Sequence, residues 1–225
     1  VTLAAWPAFA AGGDAGFLQK AAPILLLLVV VAIVIGRLPR VELGHSDAFR
    51  RRRVLNWLPL GLLYALLYMG RYNLKVSKFA FEEMRNAAGG ALMGNEDFST
   101  VFGVGTVIYG FAFLINGPLT DRIGGKRAIL IGAGGSLVAN AAMALGTWSI
   151  QNDGPMHSAL LGSFVWVLTA LYAINMYFQS FGAVAIVKVN APWFHVRERG
   201  VFGAIIGILI SLGIYLAFDV GYRIK

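Results

Sequence analysis

The stretch GPLTDRIGGKR, residues 117–127, joins two long apolar segments and decides how they are connected. Its adjacent glycines, Gly124 and Gly125, supply the backbone freedom that a tight reversal between two helices needs. Gly117 would allow close approach between helices in lipid, and Asp121 would lie near the positive N-terminus of the next helix. Basic side chains would hold the stretch at the anionic inner surface of a membrane: Arg122, Lys126 and Arg127. We therefore expect a short cytoplasmic loop between two membrane helices.

Six apolar segments of the chain, including the two that flank this stretch, reach the roughly 20 residues that a spanning helix needs. They lack the alternation of membrane strands and are rich in alanine, leucine and glycine. Of the 225 residues, 58% are hydrophobic, whereas a soluble domain has about 45–50% even when glycine is counted. The sequence predicts an all-α integral membrane protein with segments at residues 21–38, 55–81, 98–117, 128–148, 158–190 and 201–220.

The charges between the segments predict the orientation of the chain. Residues 39–54 form a predicted loop that holds most of a six-arginine cluster: Arg37, Arg40, Arg50, Arg51, Arg52 and Arg53. The positive-inside rule places this loop in the cytoplasm, and alternation then places residues 117–127 and 197–200 there too. The N-terminal tail, residues 1–20, is expected outside a bacterial-type inner membrane. These loops explain the net charge of +8, so no nucleic-acid partner is expected.

Enzymatic and metal chemistry find no support in the residue types present. The chain has no cysteine, which excludes disulfides, thiolate metal sites and a cysteine nucleophile. The three histidines lie far apart and form no HExxH-type spacing: His45, His157 and His195. We expect no metal, no cofactor and no enzymatic activity.

Two basic motifs resemble those of a known superfamily. The spacing G-x-x-x-D-R-x-G-x-K-R in residues 117–127 resembles the signature between helices 2 and 3 of the major facilitator superfamily, and RERG at residues 197–200 resembles the matching loop between helices 4 and 5. The resemblance implies a major-facilitator-type helix bundle, of which residues 55–225 would supply five of twelve helices as a partial N-terminal half. Residues 21–38 would be an extra transmembrane helix before it.

Three stretches resemble, more narrowly, the organophosphate:phosphate antiporter family: residues 64–74 (YALLYMGRYNL), 109–122 (YGFAFLINGPLTDR) and 177–200 (YFQSFGAVAIVKVNAPWFHVRERG). This resemblance implies a transporter that exchanges an organic phosphate, such as a sugar or glycerol phosphate, for inorganic phosphate by alternating access. Phe113 and Pro192 stand where the glycerol-phosphate exchanger has a lysine and a histidine. The identity of the substrate therefore stays open.

Arg71 lies within the second apolar segment, and a charge at the bilayer centre costs about 2.5–3.5 kcal/mol on insertion scales. A guanidinium is shaped to hold a phosphate through two parallel hydrogen bonds. Tyr64, Tyr68 and Arg71 are spaced i, i+4, i+7 and so share one helix face. Alternatively, the helix ends just before Arg71, which then extends to the lipid headgroups, as Lys75 and Lys78 beyond it would favour.

The family resemblance implies a substrate site of one arginine and three tyrosines: Arg71, Tyr64, Tyr68 and Tyr109. For Tyr109 a simple packing role is equally open. Asn175 and Gln179, spaced i, i+4, either line the substrate path or bridge helices. Lys188 either faces the cavity mouth or is a basic residue at the cytoplasmic end of its helix.

The chain ends at Lys225, after the fifth helix of such a bundle. The expected partners are the lipid bilayer, a phosphate-bearing small molecule, and either a missing C-terminal half or a larger membrane complex. Three functions stay open: the exchange transporter, a sugar-phosphate sensor without transport, and a transporter-derived structural subunit of a larger complex. Six glycines are expected to serve close helix contacts: Gly132, Gly134, Gly135, Gly203, Gly207 and Gly213.

Overall fold

A computed structural model describes residues 44–223, with the side chains of residues 220, 222 and 223 excepted, and four earlier residues: Leu25, Val29, Ala32 and Ile33. The chain divides into two units, Val1–Pro39 and Arg40–Lys225. In the first unit the four described residues are helical. The predicted tail at residues 1–20 and most of the predicted extra helix at residues 21–38 lie outside the described residues.

The described part of the second unit is built from α-helices without strands, which confirms the all-α prediction there. Two short 3-10 helices, Ala191–Trp193 and Val196–Glu198, lead into the last α-helix. In chain order the α-helices are α1 (Asp47–Glu83), α2 (Asn95–Ile123), α3 (Gly125–Gln151), α4 (His157–Leu161), α5 (Phe164–Asn190) and α6 (Arg199–Arg223).

Four described stretches are long and apolar enough to cross a membrane: Asn95–Ile123, Gly125–Gln151, Phe164–Trp193 and Val196–Asp219. Large apolar side chains on their outer faces are strongly exposed, for example Leu114 at 70%, Leu137 at 70% and Trp166 at 74%. A soluble protein rarely presents so much contiguous apolar surface to water. The helices therefore indicate a membrane protein.

Helix α1 begins earlier than the hydropathy pattern predicts. The Ser46 Oγ accepts a hydrogen bond from the Phe49 amide at 3.3 Å, and Asp47 lies in the positive first turn. Arginine is also a good helix former. The prediction that residues 39–54 are a loop is therefore wrong for residues 47–54, which form the first two turns of α1.

Helix α1 is also longer and more polar than its neighbours. Its 37 residues span about 55 Å at 1.5 Å per residue. Tyrosines, asparagines and cations lower its mean hydropathy, so it is not among the four apolar stretches. Pro59 lies inside it, where the missing N–H removes one backbone hydrogen bond.

The stretch at residues 117–127 is a break of one residue rather than a loop. Gly124 has φ 86°, a conformation open to glycine and strained for other residues. Its N–H donates to the Thr120 carbonyl at 3.0 Å, and its carbonyl accepts from the Ala128 amide at 3.1 Å. Gly124 therefore ends α2 and caps the start of α3, and the rest of the predicted loop is helical.

The other residues of this stretch differ partly from expectation. Gly117 has no described atom within 4 Å of the position that a Cβ would take, so it makes no close contact with a described helix. Gly125 is instead packed against Val189 of α5. Asp121 forms an ion pair with Lys188 of α5. The three basic side chains of the stretch are exposed: Arg122, Lys126 and Arg127.

The bundle is organised around α5 and α1. Helix α5 packs along both α2 and α3, and α6 packs along α1, which also contacts α5. The close-contact prediction is confirmed at three of the six glycines, where a Cβ would collide with a neighbouring helix: Gly132, Gly135 and Gly213. The other three have no described atom within 4 Å of the position that a Cβ would take, so their predicted contacts are not formed among the described helices: Gly134, Gly203 and Gly207.

The fifth predicted segment, residues 158–190, is divided between two helices. Helix α4 ends at Leu161, and α5 begins at Phe164. The Ser163 hydroxyl donates to the Ala159 carbonyl at 2.8 Å across the break. This local hydrogen bond competes with continuation of the helix.

An ion pair joins the beginning of α1 to the residue just before α6. The Arg53 Nη1 lies 2.9 Å from both carboxylate oxygens of Glu198, and it donates to the Trp193 carbonyl at 3.4 Å. The guanidinium carbon lies 4.9 Å from the centre of the Phe194 ring. Arg53 therefore fixes the position of the RERG motif instead of remaining a solvated loop charge.

Candidate functional site

Arg71 lies in the interior of α1, which continues to Glu83. The alternative in which the helix ends before Arg71 is therefore wrong. The side chain is half-buried, and its contacts are with α2 and α5 of the bundle. Arg71 thus faces other helices.

The guanidinium of Arg71 is held between two tyrosine rings. Its central carbon lies 4.7 Å from the centroid of the Tyr68 ring and 4.3 Å from that of Tyr109. Tyr64 packs edge-on against Tyr68, with ring centroids 5.1 Å apart. Such cation–π contacts strengthen where water is excluded. The structure thus brings together all four residues of the predicted substrate site.

Gln179 gives Arg71 its one side-chain hydrogen bond within the described chain. The Arg71 Nε donates to the Gln179 Oε1 at 2.9 Å. The Gln179 Nε2 in turn donates to the Asn175 Oδ1 at 3.2 Å and to the Ser136 Oγ at 3.4 Å. These donations orient the amide so that its oxygen faces Arg71. Asn175 and Gln179 therefore bridge helices, and Gln179 also contacts the arginine directly.

Sequence reasoning missed part of this buried network. The Asn175 Oδ1 also accepts hydrogen bonds from the Ser136 Oγ and, at 3.1 Å, from the Asn140 Nδ2 of α3. The Tyr172 hydroxyl donates to the Arg71 carbonyl at 3.5 Å. Ser136 and Asn140, spaced i, i+4 in an apolar helix, carried a signal that could have identified them.

The outer edge of the Arg71 guanidinium remains available for a ligand. No described carboxylate forms an ion pair with it, and its two terminal nitrogens form no hydrogen bond with a described residue. Two parallel N–H donors are the arrangement that binds a phosphate or carboxylate in a bidentate manner. The tyrosine rings and Gln179 fix the direction of these donors before a ligand arrives.

Lys188 does not join this site. It pairs with Asp121, and it lies nine residues beyond Gln179 on α5, about 14 Å along the axis. Lys188 therefore does not contact Arg71, and whether it faces the cavity mouth stays a prediction. Its charge is used to tie α5 to the end of α2.

Comparison of the chain with protein-family models, curated proteins and solved structures finds no match. The likeness to the major facilitator superfamily therefore rests on the short motifs at residues 64–74, 109–127 and 177–200, and it stays a prediction.

Proposed function

We propose that the chain is part of a membrane transporter that exchanges an organic phosphate, a sugar or glycerol phosphate, for inorganic phosphate. In this proposal Arg71 is a phosphate ligand and Tyr64, Tyr68 and Tyr109 line its site. The observation that carries the proposal is the Arg71 guanidinium, held by two rings and an amide and without a described carboxylate partner.

The energetics favour an anionic ligand with two oxygens. A half-buried guanidinium without a counter-charge is costly in a membrane bundle, and hydrogen bonds to a charged group contribute about 1.5–3 kcal/mol each. A phosphate ester supplies both the charge and two oxygens in the spacing of the guanidinium donors. An uncharged sugar offers neither, so it is not the proposed substrate.

The proposal extends to a major-facilitator-type bundle in a bacterial-type inner membrane, with residues 117–127 on the cytoplasmic side and the N-terminus outside. Transporters of that build hold the substrate near the midplane between two halves that rock against each other. A second half, from the same polypeptide or from a partner subunit, would then complete the wall of the site opposite Arg71.

The test is binding of glycerol 3-phosphate and glucose 6-phosphate to the purified protein, measured by titration calorimetry. Arg71→Lys keeps the charge but loses the paired donors, and we expect affinity to fall by about 10-fold or more, because each 1.4 kcal/mol is tenfold. Arg52→Lys, an exposed position of the same helix, is the matched control and should bind as the wild type does. Equal affinity in both variants, or no binding by the wild type, would overturn the proposal.

A structural subunit is the second candidate function, because the contacts of Arg71 with two rings and Gln179 would also stabilise a bundle that carries no ligand. Exchange of labelled phosphate in proteoliposomes supports the transporter. Phosphate-ester binding without exchange supports a sensor. Neither activity, together with stable co-purification in a larger membrane complex, supports the structural subunit.

A further inference from the structure

Three cations of α1 each lie over an aromatic ring of α2. We name these cations, Arg71, Lys75 and Lys78, the cation ladder. The charged group lies 4.3 Å from the ring centroid for Arg71 and Tyr109, 4.7 Å for Lys75 and Phe102, and 5.5 Å for Lys78 and Phe98. These side-chain contacts bridge the facing sides of α1 and α2, which we name the α1–α2 seam, and the ladder runs along it from Arg71 towards the end where α1 stops and α2 begins.

The members of the cation ladder differ in how their charges are balanced. Lys78 is neutralised by Glu82 at 3.2 Å and donates to the Asn95 side chain. Lys75 forms no ion pair with a described carboxylate. Its ammonium instead lies between the rings of Phe102 and, at 4.9 Å, Tyr72. Lys75 therefore resembles Arg71, a half-buried cation packed on two aromatic rings.

Lys75 and Arg71 lie over different aromatic rings of α2. Their partner rings, Phe102 and Tyr109, are seven residues apart on α2, which corresponds to about 10 Å along the helix axis. The ring under Lys75 is the one nearer to the start of α2, so the Lys75 ammonium is associated with that end of α2 and the Arg71 guanidinium with its middle.

We propose that Lys75 forms a second phosphate-binding station on the α1–α2 seam, separate from Arg71 and nearer to the end of α1. The inference rests on the proposed function. If Arg71 binds the phosphate substrate, a phosphate-binding residue beside it would hold the substrate on its way to Arg71. A lysine ammonium binds phosphate as a point charge rather than through a fixed pair of donors. The Lys75 station is therefore the weaker of the two.

The test counts inorganic phosphate bound to the purified protein by equilibrium dialysis with labelled phosphate, in a detergent that carries no phosphate. The wild type is expected to bind two phosphates. Arg71→Lys should weaken the tighter site about 10-fold, Lys75→Gln should remove the weaker site, and Lys75→Arg should restore it. Lys78→Gln is the matched control, because its charge is already balanced by Glu82, and it should leave both sites in place.

The possible results distinguish failure of the Lys75 station from failure of the proposed function. A single phosphate that Arg71→Lys weakens and Lys75→Gln does not affect overturns the Lys75 station and leaves the proposed function standing. A single phosphate that only Lys75→Gln removes supports the station and overturns the role of Arg71. No bound phosphate overturns both. Loss of the weaker site in both Lys75→Gln and Lys78→Gln would show a diffuse positive surface and overturn the station.

The same phosphate chemistry could come from a lipid headgroup, and a second arm distinguishes the two sources. The dialysis is repeated in nanodiscs of phosphatidylglycerol. If free phosphate is the occupant, both sites persist. If lipid phosphate occupies the Lys75 station, the weaker site disappears in nanodiscs while the site at Arg71 persists.

Discussion

The guanidinium of Arg71 is oriented by the Gln179 amide, and the position of that amide is fixed by Asn175 and Ser136. A neutral acceptor directs the arginine without cancelling its charge. A carboxylate in the same place would form an ion pair and compete with any anionic ligand. The choice of amide over acid at residue 179 thus keeps the arginine available.

Gln179→Glu tests this choice. We expect the new carboxylate to pair with Arg71 and to lower phosphate-ester affinity by more than about 10-fold. The Arg71 Nε hydrogen bond is kept, but the donations from the Gln179 Nε2 to Asn175 and Ser136 are lost, so a lower unfolding temperature is expected alongside the loss of affinity. Calorimetric titration gives the affinity, and thermal unfolding gives the stability. Gln151→Glu, the same change at an exposed residue of α3, should leave affinity unchanged. Undiminished binding by Gln179→Glu would contradict this account of the site.

Spacing within α1 was enough to predict that Tyr64, Tyr68 and Arg71 share a face, because helix geometry alone determines it. The contacts of Gln179 were beyond such reasoning. They depend on how α3, α5 and α1 are placed, and those helices are distant in the sequence. Lys188 shows the same limit, since its partner Asp121 lies on another helix.

At the scale of elements, apolar length predicted the main helices but not where they end. Helix α1 starts at Asp47 because of a polar cap, which hydropathy does not register. The stretch at residues 117–127 contains a proline and four charged residues, which suggested a loop. It is nevertheless helical on both sides of a one-residue break at Gly124. The helix ends are decided by local hydrogen bonds, and these extend beyond the apolar core of each segment.

Gly124→Ala tests the one-residue break. The positive φ of 86° is strained for alanine, and a residue held in such a conformation costs about 1–3 kcal/mol. We expect a lower unfolding temperature in detergent, followed by circular dichroism. Gly134→Ala is the control: it lies in α3 with no atom within 4 Å of the new Cβ, so it should be neutral or slightly stabilising. Equal stability of the two variants would argue against a requirement for glycine at the break.

At the scale of the whole second unit, two sets of contacts hold the helices. One is the packing of α5 with α2 and α3, and the other is the packing of α6 with α1. The sequence predicted a helical membrane bundle from composition and apolar length. It could not predict which helices pair, because Gly213 and Gly203 look alike in sequence, yet of the two only Gly213 closely contacts another described helix.

The Arg53–Glu198 pair joins the start of α1 to the residue just before α6. Removing it should lower the stability of the bundle. The two side chains are 19% and 10% exposed, so the pair is partly buried. Removing one partner should cost more than the roughly 0.2–1 kcal/mol of an exposed pair and less than the about 3–5 kcal/mol of a fully buried one. We expect Glu198→Gln to destabilise the bundle in thermal unfolding. The double variant Arg53→Met, Glu198→Leu should recover part of the loss, since no unpaired charge remains.

The exposed pair of Arg50 and Asp47 provides the control for this prediction. Its side chains are 59% and 100% exposed, and pairs in that setting contribute little. Asp47→Asn should therefore leave the unfolding curve close to that of the wild type. A Glu198→Gln variant as stable as Asp47→Asn would show that the Arg53 pair is dispensable.

Pro59 gives α1 an uneven bending stiffness. The helix rises about 9 Å from Arg53 to Pro59 and about 18 Å from Pro59 to Arg71 at 1.5 Å per residue. The hydrogen bond missing at the proline makes this the most compliant point between the two arginines. Helix α1 is therefore expected to bend at Pro59 more easily than in the segments on either side of it. A force on the segment that carries Arg53 would bend the helix at Pro59 first, and the segment that carries Arg71 would keep its orientation.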